Sequence, residues 1–187
     1  MTLPDAAQNA ARLQLEPIPE WQLGNADEAE IAALLARCFG SDFGGRSFYQ
    51  TRQHLRLIHR SAGRIVGHMA LQFRAMRLGG RLITVAGLAD VATDPDHRGR
   101  GIAAALLDEA IMVAKASPAE FFLLFGVAKL YGAAGFRRVQ NEMLWTEMLG
   151  ARTGATLRAP TERLMMLPLG ASEWDEAGLL DMLGATF

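Results

Sequence analysis

The sequence predicts a mixed α/β (α+β) fold in one domain, residues 1–187: a central, mostly antiparallel sheet flanked by helices. Three observations predict it. First, three strand-like runs over 55–93 follow one another with only "SAG" and "GG" between them, the pattern of an antiparallel meander. Second, a strand, an amphipathic helix and another strand span 81–126 as one βαβ unit, which chain chirality makes right-handed. Third, the 187 residues, 50% hydrophobic and 21% charged, fit one globular core, and no repeat or linker divides them.

The elements follow in order. "RLQLEPI" (12–18) reads as a first strand. "NADEAEIAALLARCF" (25–39) places Ile31, Leu34, Leu35 and Cys38 at helical spacing, and Asn25 with Glu28 has the form of a capping box. "GSDFGG" is a loop, and "RSFYQTRQHL" (46–55) is expected as a short helix. The meander strands are 55–60, 64–78 and 81–93. The helix "GIAAALLDEAIMVAK" (101–115) carries Ile102, Leu106, Ala110 and Ile111 on one face. "EFFLLFG" (120–126) is apolar throughout, as suits a strand covered on both sides. A short helix over 128–135 ends at Gly135. "FRRVQNEMLWTEM" and "RLMMLPL" are further strands, separated by a flexible 150–162. "SEWDEAGLLDML" (172–183) is expected as a last helix.

The totals exclude several functions. A formal net charge of −1 gives no support to nucleic-acid binding, which needs a cationic excess. "FFLLFGVA" is too short to span a membrane. The start "MTLPDAAQNA" lacks the basic and apolar regions of a signal peptide, so a cytoplasmic location is expected. One cysteine excludes an internal disulfide and a Cys-based zinc site. The four histidines lack ligand spacing, so no metal is expected.

The chemistry concentrates at "DPDHRGRGIAAALL" (94–107). A helix N-terminus leaves backbone N–H groups unpaired and partly positive, and glycines let an anion reach them. Gly99 and Gly101 supply the bare backbone, and Arg98 and Arg100 add formal charge. A solvated turn would use the same residue types. The ordered set of strand, two glycines, two arginines and amphipathic helix points instead to a phosphate-bearing ligand. GxxxxGK[ST] is absent, so this is no NTPase loop. "GRGIAA" matches the dinucleotide pattern GxGxxA in form. Its context differs, because "DPDHR" separates it from the strand and Glu120 precedes the next strand instead of closing it.

"VATDPDHRGRGIAAALL" resembles the acetyl-CoA-binding signature of the GNAT superfamily of N-acetyltransferases, whose core Arg/Gln-x-x-Gly-x-Gly/Ala is met by Arg98, Gly101 and Ala103. "KLYGAAGF" (129–136) is similar to the family's "LYxxxGF". The resemblance implies a GNAT-like fold and acetyl-CoA as co-substrate. The pyrophosphate would be held by the loop from Arg98 to Ala104, including Gly99, Arg100, Gly101, Ile102 and Ala103. Pantetheine would bond the strand end Val91, Ala92 and Thr93, and Tyr131 would donate to the departing thiolate. "CFGSDF", the segment 63–101 and the tail "LMMLPLGASEWDEAGLLDML" look like the aminoglycoside 2′-N-acetyltransferases, and the middle also resembles rhizobial nodulation-factor N-acyltransferases. That likeness implies a substrate contact at Asp42, with Phe43 and Trp174 lining the acceptor site. The strand glutamate of those enzymes falls at Ala89, with Asp90 beside it.

An alkylamine with a pKa near 10.4 is protonated at neutral pH, so transfer to it requires proton removal and positioning. Asp90 is the base taken from this sequence. Strand alternation leaves an inward base and an outward, salt-bridged residue both open. The expected activity is direct acetyl transfer in a ternary complex to a primary amine of a small molecule, aminoglycoside-like by resemblance. A homodimer is compatible with the family. The alternative is a CoA-binding regulatory or scaffold module without turnover.

Overall fold

The structure, a computed structural model, describes residues 13–127 and 129–187. The "MTLPDAAQNA" start, Arg12 of the first expected strand and Ala128 of the short helix lie outside the described residues. Strand β1 (Leu15–Pro19) is followed by helix α1 (Asn25–Phe39) and the meander β2 (Leu55–Ser61), β3 (Arg64–Leu78) and β4 (Arg81–Thr93). Helix α2 (Ile102–Lys115), strand β5 (Phe121–Phe125) and helix α3 (Lys129–Ala133) come next. Strands β6 (Arg137–Arg138), β7 (Glu142–Leu149), β8 (Arg152–Pro160), β9 (Leu164–Pro168) and β10 (Leu180–Asp181) complete the chain.

These strands form one sheet in the order β6-β9-β5-β4-β3-β10-β7-β8, with β2 also on β3 and β1 on β2. The pairings are antiparallel except β4 with β5 and β10 with β7. The parallel β4–β5 pair is the expected βαβ unit, with α2 as its crossover. Helices cover both faces of the meander. Leu57 and Val66 pack under α2 against Leu106 and Ala110, while their neighbours Ile58 and Ile65 pack under α1 against Ile31, Leu34 and Leu35. That split is the two-residue period of a strand, and it explains why β3 is buried from Ile65 through Gln72.

Five local expectations fail. The capping box does not form. Gly24 is the N-cap, Asn25 is already helical, and the Glu28 carboxylate accepts from the Ser47 hydroxyl at 3.1 Å and from Arg52 at 2.6 Å. The expected helix 46–55 is instead a bent loop over 46–54, held by such side-chain bonds, with Leu55 already in β2. The 150–162 segment is not loose: β8 pairs antiparallel with β7. Its side chains are nearly all exposed, so no hydrophobic alternation announces it. The expected helix 172–183 is a turn followed by β10. Asp175 accepts from the amides of Ala177 and Gly178, offering the backbone an alternative to helical bonds. The expected strand from 136 to 148 is broken into β6 and β7. No helix among the described residues is long and apolar enough to cross a membrane.

Candidate active site

The centre of the site is a break in the sheet. Along β3 and β4 the register runs Ala70↔Ala89 and then His68↔Ala92, so Asp90 and Val91 together face Met69. This is a β-bulge, and Asp90 takes the left-handed backbone conformation, φ +52°, that an aspartate tolerates better than most residues. The β4–β5 pairing ends at Leu88↔Leu124, so beyond the bulge the two strands are no longer bonded and a cleft opens.

A buried polar cluster holds the bulge. His68, fully buried, places Nδ1 2.7 Å from the Asp90 carbonyl oxygen and Nε2 3.3 Å from Arg56 Nη1. Arg56 only donates and a carbonyl only accepts, so His68 carries its proton on Nδ1. Burial, and then the Arg56 charge, drag its pKa down to about 3, so the ring is neutral. Arg56 is itself fully buried. It donates from Nε to Glu20 at 2.7 Å, from Nη2 to the other Glu20 oxygen at 3.1 Å, and from Nη1 to the Ser47 carbonyl at 2.7 Å. Burial opposes ionisation of Glu20, but Arg56 and Arg52 outweigh it and hold Glu20 below its usual range.

The Asp90 side chain is 4% exposed and turns inward, accepting from Gln53 Nε2 at 2.8 Å, with Arg56 Nη1 at 3.8 Å. Burial pushes its pKa up to about 6, against the pull of Arg56 and Gln53. It lines a cavity of about 420 Å³ together with Asp42, Phe43, Val91, Tyr131 and Arg163. Tyr131 enters from α3, and burial raises its phenol above the ordinary value of 10. Its ring lies against the chain where β5 ends, packed edge-on to Phe136 at 6.3 Å.

A second cavity, of about 470 Å³, adjoins the first at Val91, which lines both. Thr93, Arg98, Gly99, Gly101, Ala103 and Leu130 are among its walls. The turn leading into it is stiffened by Asp94, which accepts from the Asp96 amide and pairs with Arg37 at 2.6 Å, while Pro95 opens a single 3₁₀ turn. Gly101 is the N-cap of α2 at φ +78°, a left-handed conformation, with no side-chain cap. The first helical bond runs from the Ala105 amide to the Gly101 carbonyl, which leaves the amides of Ile102, Ala103 and Ala104 aimed out of the helix end. A Cβ on Gly101 would meet nothing within 4 Å, so its glycine character answers to backbone angle and to open space above. A phosphate diester fits this place: free amides, exposed Arg98 and Arg100, and room.

The sequence-derived residues are thus distributed unevenly. Asp42, Phe43, Asp90, Val91 and Tyr131 meet at one cavity, and Thr93, Arg98, Gly99, Gly101, Ile102, Ala103 and Ala104 at the other. Arg100 is exposed on the turn and donates to the Asp96 carbonyl at 3.2 Å. The Ala92 side chain points away, into the cluster beneath α1. Trp174 is not at either cavity. It is buried edge-on against Phe121 at 5.0 Å, with Nε1 donating to Asn141 at 2.8 Å. Sequence reasoning missed the Glu20–Arg56–His68 cluster, Tyr49, Arg163 and Phe187. Among the described residues no three His, Cys, Asp or Glu side chains gather as a metal site.

A cleft at a helix N-terminus opens through a broken strand pair into a second cavity with an inward acid and a tyrosine, an arrangement with room for a phosphate-bearing ligand beside a second molecule. Residues 22–139 match the family model described as "Acetyltransferase (GNAT) domain". The chain belongs to the GNAT acetyltransferase family. Nodulation protein A of Bradyrhizobium elkanii is 27% identical over 206 residues, covering 97% of this chain and 96% of that protein. Among solved structures, the GNAT family N-acetyltransferase YhbS of Escherichia coli in complex with CoA is similar at TM-score 0.59 and 19% identity, over 97% of this chain and 92% of that one. A GNAT family acetyltransferase of Brucella melitensis in complex with acetyl-CoA is similar at TM-score 0.56 and 18% identity, over 89% and 94%.

Proposed function

We propose that the protein is an acetyl-CoA-dependent N-acetyltransferase that moves an acetyl group directly to a primary amine of a small molecule. The observation that carries this reading is the junction at Val91. It joins the cleft suited to a phosphate-bearing donor to the cavity that holds both an acid and a tyrosine. In this reading the amides of 102–104, with Arg98 and Arg100, hold the pyrophosphate, and the strand end 91–93 aligns the pantetheine. Acetyl-CoA supplies the activated thioester.

The residues of the chain do the rest. Asp42 attracts a cationic amine to the cavity mouth. Asp90, directly or through water, takes the proton that makes the nitrogen nucleophilic. The cluster of His68 and Arg56 keeps Asp90 at its bulge, and Tyr131 stands ready to donate to the leaving sulfur. The likeness to aminoglycoside enzymes, carried by "CFGSDF", the segment 63–101 and the tail, places a substrate contact at Asp42. The aromatic lining of Phe39, Phe43, Tyr49, Phe125 and Phe187 supports a less polar amine better than a polyhydroxylated one. The alternative of a CoA-binding module without turnover is favoured by Ala89, which lines the cavity where the aminoglycoside enzymes carry a glutamate, while Asp90 and Tyr131 in the same cavity favour the enzyme. A thiol-release assay with acetyl-CoA and a panel of primary amines tests the reading. Release that depends on amine is expected, and acetyl-CoA binding without release from any amine would favour the module.

A base with its pKa at about 6 acts when ionised. kcat/KM is therefore expected to rise through about pH 6 and level off above it. Asp90→Asn should remove that rise and lower the plateau by about a hundredfold. Stability supplies a second reading of the same group. Its folded pKa lies above the ordinary value of 3.8, so the folded state holds the proton more tightly than the unfolded chain. Its contribution is present at low pH and is lost as pH climbs from about 4 to about 6. The difference in Tm between Asp90→Asn and wild type should therefore grow in favour of the variant across that window.

A further inference from the structure

Beyond the cavity of Asp90 and Tyr131 lies a third hollow, of about 530 Å³. It is not separate: Tyr49, Phe125, Arg163 and Phe187 line both. Its far wall is apolar, made by Met143 and Trp145 of β7 and by Pro160 at the end of β8. The shared wall is rigid. The C-terminal segment is tied down by Arg74, which donates to the carbonyls of Met182 and Ala185, and by the Thr186 hydroxyl, which donates to Gln50 at 3.2 Å. This sets the Phe187 ring against Phe125, centroids 5.4 Å apart, and flat over Gly87, where any Cβ would lie 2.7 Å from the ring.

We infer that this hollow is a subsite for an apolar, ring-sized substituent on the acceptor, so that the substrate class is an amine with an aromatic or bulky aliphatic body. The inference rests on the reading that the amine is held in the Asp90 cavity. Asp42 and Asp90 offer carboxylates to one ammonium. The rim of the third hollow carries Glu162 beside Arg163, so its charges offset each other and its apolar wall decides what it takes. An apolar body lies on Trp145, Phe125 and Phe187.

Butylamine and 4-phenylbutylamine, which share an amine and linker, separate the possibilities. With CoA present, calorimetric titration of the wild-type protein should give a Kd about tenfold or more lower for the phenyl compound, from ring burial alone. In Trp145→Ala the ratio should fall to about threefold or less, as expected when one wall of a small pocket is lost. A retained Tm increase with acetyl-CoA reports that the variant is folded. Equal Kd values for the two amines in wild type, or no binding of the phenyl compound at millimolar concentration, overturn the subsite whatever the variant does. A donor arm compares hexanoyl-CoA with acetyl-CoA at fixed butylamine. Tighter binding of the longer donor, lost in Trp145→Ala, assigns the hollow to the acyl chain and overturns the acceptor proposal. If the Kd ratio holds but neither amine releases thiol from acetyl-CoA, the subsite stands and the proposed chemistry falls.

Discussion

Gly101→Asp is expected to weaken acetyl-CoA binding by about a hundredfold or more while leaving the protein folded. Each charge-assisted bond from the amides of 102–104 to a phosphate is worth about 1.5–3 kcal/mol, and about 1.4 kcal/mol is tenfold in affinity. A carboxylate at position 101 would accept those amides itself and repel the phosphate as well. The same carboxylate makes a good helix N-cap. That gain offsets the left-handed strain at φ +78°, which costs an L-residue about 1–2 kcal/mol. The open space around Gly101 adds no clash, so Tm should move by only a few degrees. Gly101→Asn separates charge from bulk: it tolerates the same backbone and lacks the charge, and its loss should be intermediate. Calorimetry with acetyl-CoA measures all three proteins. Unchanged affinity in folded Gly101→Asp would reduce the turn to a surface loop.

Tyr131→Phe is expected to lower kcat by about a hundredfold, the lower end of what a positioned proton donor contributes, because a thiolate already leaves readily. Acetyl-CoA affinity should stay the same, since the hydroxyl matters only as the carbon–sulfur bond breaks. The edge-on contact with Phe136 needs only the ring, so Tm should barely change. Burial holds the phenol above its ordinary value of 10. Wild-type kcat should therefore show no alkaline fall from this group below about pH 10. Wild-type kcat in the variant at every pH would return Tyr131 to a packing role.

What the sequence disclosed depended on whether the signal was local. The meander and the βαβ unit could be read because their strands bury both faces or alternate, and because α2 carries a continuous apolar stripe. The glycine turn at the start of α2 could be read because every residue that forms it lies within a few positions. β8 could not: its side chains are nearly all exposed, and among the described residues β7 is the one strand it pairs with. The 172–183 segment misled because Trp174 and Leu180 have a helical look, while Asp175 diverts the backbone into a turn. Within the site, Asp90 was placed by neighbourhood, but its inward direction comes from the bulge, which breaks the alternation that left both faces open. The ion pair of Glu20 with Arg56 joins residues in β2 and before α1, and no spacing rule connects them. Phe187 is brought to the cavity by Arg74, again with no local trace.

The two cavities also differ in how far along the chain their walls must be gathered. The cleft proposed for the donor is built from residues between 91 and 130, one crossover and its flanks. The cavity proposed for the acceptor draws on Phe39 and on Phe187 and on several points between. Contacts between distant parts of a chain close the largest loops and so tend to form late. On the proposed assignment, a folding chain would therefore complete the donor's place before the acceptor's. The order of assembly during folding would anticipate the order of binding that a ternary-complex transfer can use.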